Sequence, residues 1–404
     1  MPPPPEFADS GAEVGVVEIL AEAEAAELRQ GDGPVLGNAG QLYWFAAQVN
    51  GGNTALNAEL VANITVNSNV LTASGDLNGN PEDFRAWTPI GISDANDFEG
   101  TFQGNGYVIS GLYAKAYGVG FIKKGTYANV YNLGVLDSYF ENTGYASGAI
   151  LGSMNSNGTI ENCFSNATIA GSSYISGGLV GRSAHYTIVK NCYYFGKTVG
   201  DPFVNSGGSW YDGKCSNNYY VSSVDDGFDF TTAITMEDVT SGKLAYMLGG
   251  AFGQNIDNGE TAQSHPVISD AKVYYGYTIC DEAQTAPIYT NNSAASATKP
   301  AHHDFVYAAS GNEITKHCGE CNKLMGTATI TATHSRYTDL PVSAVVNGTG
   351  DFVGDSFVIT YTDAEGNSTT AAPTEIGSYT GAYMEDASDE PVENILRITV
   401  KKIG

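Results

Sequence analysis

Two cysteines two residues apart, Cys318-Gly319-Glu320-Cys321, stand beside His317 and downstream of Cys280, His302 and His303. Thiolates and imidazoles grouped in this way hold zinc tetrahedrally. The set Cys280, His303, Cys318 and Cys321 would supply four ligands for a structural zinc. It would equally supply a disulfide from Cys280 to Cys318 or Cys321, or free thiols. One C-x-x-C is half of a zinc signature, so the three readings stay open. No βαβ pattern surrounds the motif, which argues against thioredoxin-type redox chemistry.

Oxygen-bearing side chains offer a second kind of chemistry. Asp76, Asn78 and Asn80 place donors at alternate positions, as calcium loops do, but the glycine and glutamate of an EF-hand are missing from their places. A polar surface loop is the preferred reading. Asp225, Asp226 and Asp229 could be the acid and base of a polysaccharide hydrolase if two carboxyls stood ~5–9.5 Å apart. A calcium-assisted lyase would also need a base, yet Arg85, Lys123, Lys124, Arg182 and Lys190 form no pattern, and a solvated turn is preferred. His185 reads as a surface residue. No G-x-S-x-G elbow, H-E-x-x-H or P-loop occurs. The catalytic set is therefore read as empty. The 25 tyrosines include the pairs Tyr193-Tyr194, Tyr219-Tyr220 and Tyr274-Tyr275. Strand alternation should turn one of each pair outward, as contact material for sugars or proteins.

What positions these residues is a repeat. Ser147-Gly148-Ala149-Ile150-Leu151-Gly152 returns as Ser176-Gly177-Gly178-Leu179-Val180-Gly181, and Ile160-Glu161-Asn162-Cys163 returns as Val189-Lys190-Asn191-Cys192. An earlier copy holds Asn132 and a weaker one Asn217. A period of about 29 residues, built from short β-runs with no helix between them, suits one coil of a parallel β-helix. Like residues then stack as ladders: Ile150, Leu179 and Val180 inside, Asn132, Asn162 and Asn191 at a bend. Cys163 and Cys192 come one above the other with parallel side chains, a poor disulfide geometry and a good buried thiol ladder. Helices are predicted at 12–29, 39–49 and 236–249.

Composition sets the outer bounds. The chain has 404 residues, 49 of them Gly, and 18 Lys+Arg against 44 Asp+Glu give a net charge of −26. Such a surface repels phosphate backbones and anionic membranes, so no nucleic-acid partner is expected. No apolar run reaches the ~20 residues of a membrane span. The opening MPPPPEFADSG lacks the basic and apolar parts of a signal peptide. The closing ITVKKIG stops at a strand end, and further domains of a larger protein are expected beyond it.

Trp87-Thr88-Pro89-Ile90-Gly91, followed by Phe98-Glu99-Gly100-Thr101-Phe102-Gln103-Gly104-Asn105-Gly106 and Ile109-Ser110-Gly111-Leu112, resembles the opening of bacterial GLUG-repeat surface proteins. The later SGGLVG and KNCYYFG blocks are similar to the repeats themselves, and QLYWFAAQVNGG to their leading helix. The likeness spans about residues 38–250. Gln103 stands where the family usually has Asp, which weakens any ion site there. The resemblance implies a right-handed parallel β-helix on a secreted or cell-surface protein, with no known catalytic residues. Strands in GTATITATH, SAVVN, SFVITYTD, GSYTGAYM and ILRITV resemble a small Ig-like β-sandwich of Gram-positive surface proteins, which implies a stalk.

The expected organisation is an all-β chain. It comprises an acidic helical segment at 1–34, the β-helix at 35–250, a closing segment and linker with the C-x-x-C at 251–325, and the Ig-like module at 326–404. The expected function is non-catalytic adhesion or ligand display, with a host glycan or extracellular protein as partner. A β-helical carbohydrate-active enzyme and a plain spacer are the alternatives.

Overall fold

The computed structural model describes residues 33–372 apart from 173, 184–185, 211–212, 224–226, 258, 281–282, 303, 333–340, 342, 355–357 and 364, together with the strands Leu28–Arg29, Gly377–Met384 and Leu396–Val400. The chain divides into two units. The first runs to Tyr274 and includes Tyr289–Ser293; the second holds Tyr275–Ile288 and the chain from Ala294 onward.

The first unit is a parallel β-helix built on four ladders of short strands, three of its coils contributing a strand to every ladder. The first ladder stacks Gly33–Leu36, Ala58–Leu60, Thr101–Gln103, Asn129–Tyr131, Thr159–Glu161 and Ile188–Lys190, all parallel. The second runs from Ile64–Thr65 through Val108–Ser110, Gly134–Leu136, Phe164–Ser165, Tyr193–Tyr194 and Asn218–Val221 to Thr231–Ile234. The third holds Tyr113–Ala116, Tyr139–Asn142 and Thr168–Gly171; the fourth holds Ile122–Gly125, Leu151–Met154 and Val180–Ser183. Register follows the sequence period: Asn129 pairs with Thr159, and Thr159 with Ile188.

Alternation sends Phe102, Val130, Ile160 and Val189 into one continuous core with Ile109, Val135 and Tyr194. Each fully buried aliphatic side chain contributes roughly 1.5–3 kcal/mol. The glycines of the repeated motif exist for close approach. A Cβ on Gly181 would stand 2.4 Å from the Gly152 carbonyl oxygen and 2.6 Å from that of Ser147, so the coils could not stack.

The bend after the first ladder is an asparagine ladder. The Asn162 amide donates to Asn132 Oδ1 at 2.8 Å, and the Asn191 amide to Asn162 Oδ1 at 2.7 Å. Asn217 continues the stack by donating to Asn191 and to the Leu248 carbonyl. At the other end Gln103 Oε1 accepts from Asn132 at 3.0 Å. Gln103 thus terminates the ladder. Asn132, Asn162, Asn191 and Asn217 all have φ between 52° and 58°, the left-handed region asparagine tolerates best after glycine.

Helix α1, Ala39–Asn50, is capped by Asn38, whose side chain accepts from the Gln41 N–H, and it ends at Gly51-Gly52. It packs Phe45 against Phe98 and Phe102. The helix expected at 236–249 is two short ones, α2 (Met236–Thr240) and α3 (Lys243–Leu248), because Gly242 between them takes φ +88°. Both cover the outer face of the second ladder, where Val239, Leu244 and Leu248 pack with Phe164, Tyr193 and Phe252. Of the helix expected at 12–29, residues 12–27 lie outside the described residues, and Leu28–Arg29 form a strand antiparallel to Gly33–Pro34. No helix among the described residues is long and apolar enough to cross a membrane.

The second unit carries two four-stranded antiparallel sheets. One is a meander of Phe305–Ser310, Glu313–Cys318, Leu324–Ala332 and Ala344–Gly350. The other places Val358–Thr362 between Ser368–Thr369 and Gly377–Met384, with Leu396–Val400 beyond. Ile314, Ala328, Ile330, Ala344, Phe352 and Tyr361 form their shared core. Regular strands therefore begin at Phe305, ahead of the expected boundary at 326. Among the described strands the first four lie in one sheet and the next four in the other.

Candidate functional site

The corner between the third and fourth ladders is set by polar groups. Val119, Ser147 and Ser176 are bridged in parallel, and the Ser147 and Ser176 hydroxyls lie 2.7 Å apart. Asn142 Oδ1 accepts from the N–H groups of Gly144 and Tyr145, each at 3.0 Å, and its amide donates to Ser176 Oγ at 3.2 Å. These bonds fix the turn that precedes each bridge.

Two residues before each bridged position is a tyrosine: Tyr117, Tyr145 and Tyr174. Tyr117 is 60% and Tyr174 61% exposed, and Tyr145 is half-buried. The Tyr117 and Tyr145 rings stack at 5.6 Å with planes 16° apart. Arg182 Nη1 reaches the Tyr145 hydroxyl at 3.5 Å, and Lys124 Nζ stands 5.4 Å from the Tyr145 ring centre. The opposite edge of the fourth ladder carries Tyr127 and Tyr186, also exposed, at the position two before Asn129 and Ile188. The fourth face is therefore rimmed by aromatic rings on both edges and carries the basic side chains Arg182 and Lys124, the latter ion-paired with Asp94.

The expected tyrosine pairs behave differently. Tyr193 and Tyr194 are both buried. Tyr194 points into the coil and donates to the Ala167 carbonyl at 2.8 Å. Tyr193 points outward but lies under Phe252 and against Phe164, with rings 5.2 Å apart. Its hydroxyl bonds the Pro266 carbonyl and faces His265 Nδ1. Tyr220 is buried too, Tyr219 is half-buried, and of the last pair Tyr275 is exposed. Alternation held, but the closing helices and hairpin cover the face on which the outward members lie. The recurrence of Tyr-Ala-Ser-Gly as Tyr-Ile-Ser-Gly at 145–148 and 174–177 was the signal for the exposed stripe.

A second cluster lies in the second unit. Ligand atoms of Cys280, His302, Cys318 and Cys321 all fall within 4.8 Å of one another. Cys280 and Cys318 sulfurs are 3.3 Å apart, and Cys321 Sγ is 3.4 Å from His302 Nδ1. Three of the four sequence-predicted residues are thus assembled. The histidine present with them is His302; His303 lies outside the described residues. The hairpin between Glu313–Cys318 and Leu324–Ala332 makes the knuckle, with Asn322 at φ +56° and its N–H bonded to the Cys318 carbonyl. The Cys321 backbone N–H aimed at Cys318 pulls that thiol down to about 5, while burial pushes the Cys280 thiol up to about 12.

The remaining candidates are not gathered. Asp76 accepts from Ser74 and pairs with Lys197, which holds its carboxyl below the usual range. Asn78 donates to the Asn69 carbonyl, and Asn80 caps the short turn at Pro81–Asp83. The three side chains serve the loop and do not converge on a calcium position. Asp225, Asp226 and His185 lie outside the described residues. Asp229 lines a cavity of about 440 Å³ with Asn217, Tyr219, Phe228 and Phe230. Cys163, Cys192 and Cys215 form the buried thiol ladder; Cys163 N–H meets Cys192 Sγ at 3.3 Å, and Val189 N–H meets Cys215 Sγ at 3.3 Å. Burial raises the Cys192 thiol well above its ordinary range.

No family model matches the chain, and no curated protein matches it. Among solved structures, a candidate immunoglobulin A1 protease from Bacteroides ovatus is similar over 60% of this chain and 93% of its own, at 14% identity and a TM-score of 0.36. A likeness that loose carries no argument about function.

Proposed function

We propose that the chain is a non-catalytic ligand-display module of a bacterial surface protein, a GLUG-type β-helix presented on a C-terminal antiparallel stalk that serves as the Ig-like modules do. The observation that supports this reading is the stripe of Tyr117, Tyr145 and Tyr174. Rigid, repeated rings standing in solvent offer contact area at low entropy cost, which suits a glycan or an extracellular protein. Large aromatic side chains left uncovered by their own fold are the ones a partner would cover.

The test is an array of host glycans and matrix proteins probed with the full chain and with a Tyr117→Ala/Tyr145→Ala/Tyr174→Ala variant. Binding by the wild type, weakened at least about tenfold in the variant, supports display at this corner; that loss corresponds to about 1.4 kcal/mol. Equal binding by both proteins removes the stripe from the account. Turnover of an arrayed polysaccharide would instead favour the enzyme reading, with the cavity at Asp229 as its place. Failure to bind anything would leave the spacer reading.

A further inference from the structure

We infer that Cys280, His302, Cys318 and Cys321 bind one zinc ion in a closed tetrahedral site that staples the second unit together. A zinc with Zn–S bonds of ~2.3 Å and Zn–N of ~2.0–2.1 Å spaces its ligands at ~3.8 Å between sulfurs and ~3.6 Å between sulfur and nitrogen. The observed 3.3 Å between Cys280 and Cys318 and 3.4 Å between Cys321 and His302 Nδ1 lie close to those edges. A disulfide needs ~2.05 Å. Four donors within 4.8 Å leave room for one ion at their centre and no fifth protein ligand is required.

The donor set also chooses the metal. Three thiolates and one imidazole suit zinc over calcium or magnesium, which take oxygen ligands. With the three cysteines bound as thiolates and the imidazole neutral, the occupied site carries a net charge of −1. The backbone N–H of Cys321 points at the Cys318 sulfur, the kind of outer bond that holds a thiolate in place. Cys280 and Cys318 are buried, so water does not compete from their side.

The fold supplies a reason for the staple. The described core of this unit holds six buried side chains shared by two sheets, little for a domain of this size. The ligands come from three separate stretches, at 280, at 302 and at the 318–321 knuckle. One ion therefore ties the strand-poor segment before Phe305 to the hairpin that follows.

The experiment is metal analysis of the full chain after dialysis into metal-free buffer, with cobalt substitution as the second arm. The expected results are one zinc per chain and, with cobalt, the strong visible bands and thiolate charge transfer of a tetrahedral thiolate-rich site. His302→Ala and Cys321→Ser lose the zinc, while His303→Ala retains it. Zinc removal lowers the unfolding midpoint of the second unit and leaves that of the β-helix in place. Absence of zinc with a chain two hydrogens lighter than the fully reduced mass would overturn the inference in favour of a disulfide. Absence of zinc with six alkylatable thiols would overturn it in favour of free thiols. Both readouts on the wild type stand even where a variant fails to fold.

Discussion

Replacing Asn162 gives a test whose sign, and not only its size, comes from the structure. Asn162 donates to Asn132 at 2.8 Å and accepts from Asn191 at 2.7 Å, at φ +55°. Alanine removes both bonds, at about 1 kcal/mol each. It also takes the left-handed region without the short polar side chain that lets asparagine adopt it, at a cost of about 1 kcal/mol. Asn162→Ala should therefore lose about 3 kcal/mol. Glycine loses the same bonds but has no penalty at this φ, and its greater freedom in the unfolded chain returns only part of that advantage. Asn162→Gly should lose about 2–2.5 kcal/mol. In an ordinary strand the order is reversed, with alanine ahead of glycine by about 0.5–1 kcal/mol. Urea titration followed by far-ultraviolet circular dichroism, at unchanged m-value, measures both. Alanine equal to or more stable than glycine would refute the ladder geometry, as would losses under about 0.5 kcal/mol for both, the range of surface changes.

Gly181→Ala should cost about 3 kcal/mol or prevent folding, since its Cβ would meet the Gly152 and Ser147 carbonyl oxygens at 2.4 and 2.6 Å; a neutral result in a denaturant titration would contradict the stacking. Burial raises Tyr193 and Tyr194 well above 10.0. Their contribution is whole below about pH 10 and is lost as pH rises beyond it, because the unfolded chain ionises while the folded one does not; the urea midpoint of the β-helix should hold to about pH 9 and then fall, and a flat profile would contradict this. Alkylation of the native chain at about pH 8.5, near a free thiol's pKa, should leave Cys163, Cys192 and Cys215 unmodified until denaturant is added, as peptide mass mapping would report. The Tyr117→Ala/Tyr145→Ala/Tyr174→Ala variant should lose about 1–2 kcal/mol, chiefly from the Tyr117–Tyr145 stack, and still unfold cooperatively at an unchanged m-value, so that loss of binding by the folded variant reads on the surface.

Where the sequence repeats itself, the fold could be read from it. Two landmarks at one spacing force like residues to stack, and Asn132, Asn162, Asn191 and Asn217 do so. The coils before Thr101 carry no copy of the 29-residue repeat, because α1 and a long loop interrupt them; only the family resemblance placed them in the β-helix, and Gly33–Leu36 and Ala58–Leu60 join the same ladder. Period-two alternation correctly turned Tyr193 outward but could not foresee that Phe252 and the helices after residue 235 would cover it. The cysteine cluster was legible by residue type. Choosing between His302 and His303 was not, since a one-residue step in an irregular segment is set by chain path and not by pattern. Strand positions after Leu324 were legible from alternation, whereas the sheet in which each strand pairs is decided by long-range contacts.

If residues 101–216 wind as equivalent coils in one register, a single coil can be excised without loss of the fold. Thr159 pairs with Ile188, so deleting residues 159–187 joins Gly158 to Ile188 and brings Asn191 onto Asn132. This chain should fold and unfold cooperatively at somewhat lower stability, as repeat arrays allow. Deleting residues 159–188 instead shifts the register by one and turns Val189 and every following core residue outward, and that chain should not fold. Indistinguishable circular dichroism and unfolding curves for the two deletions would contradict the coil.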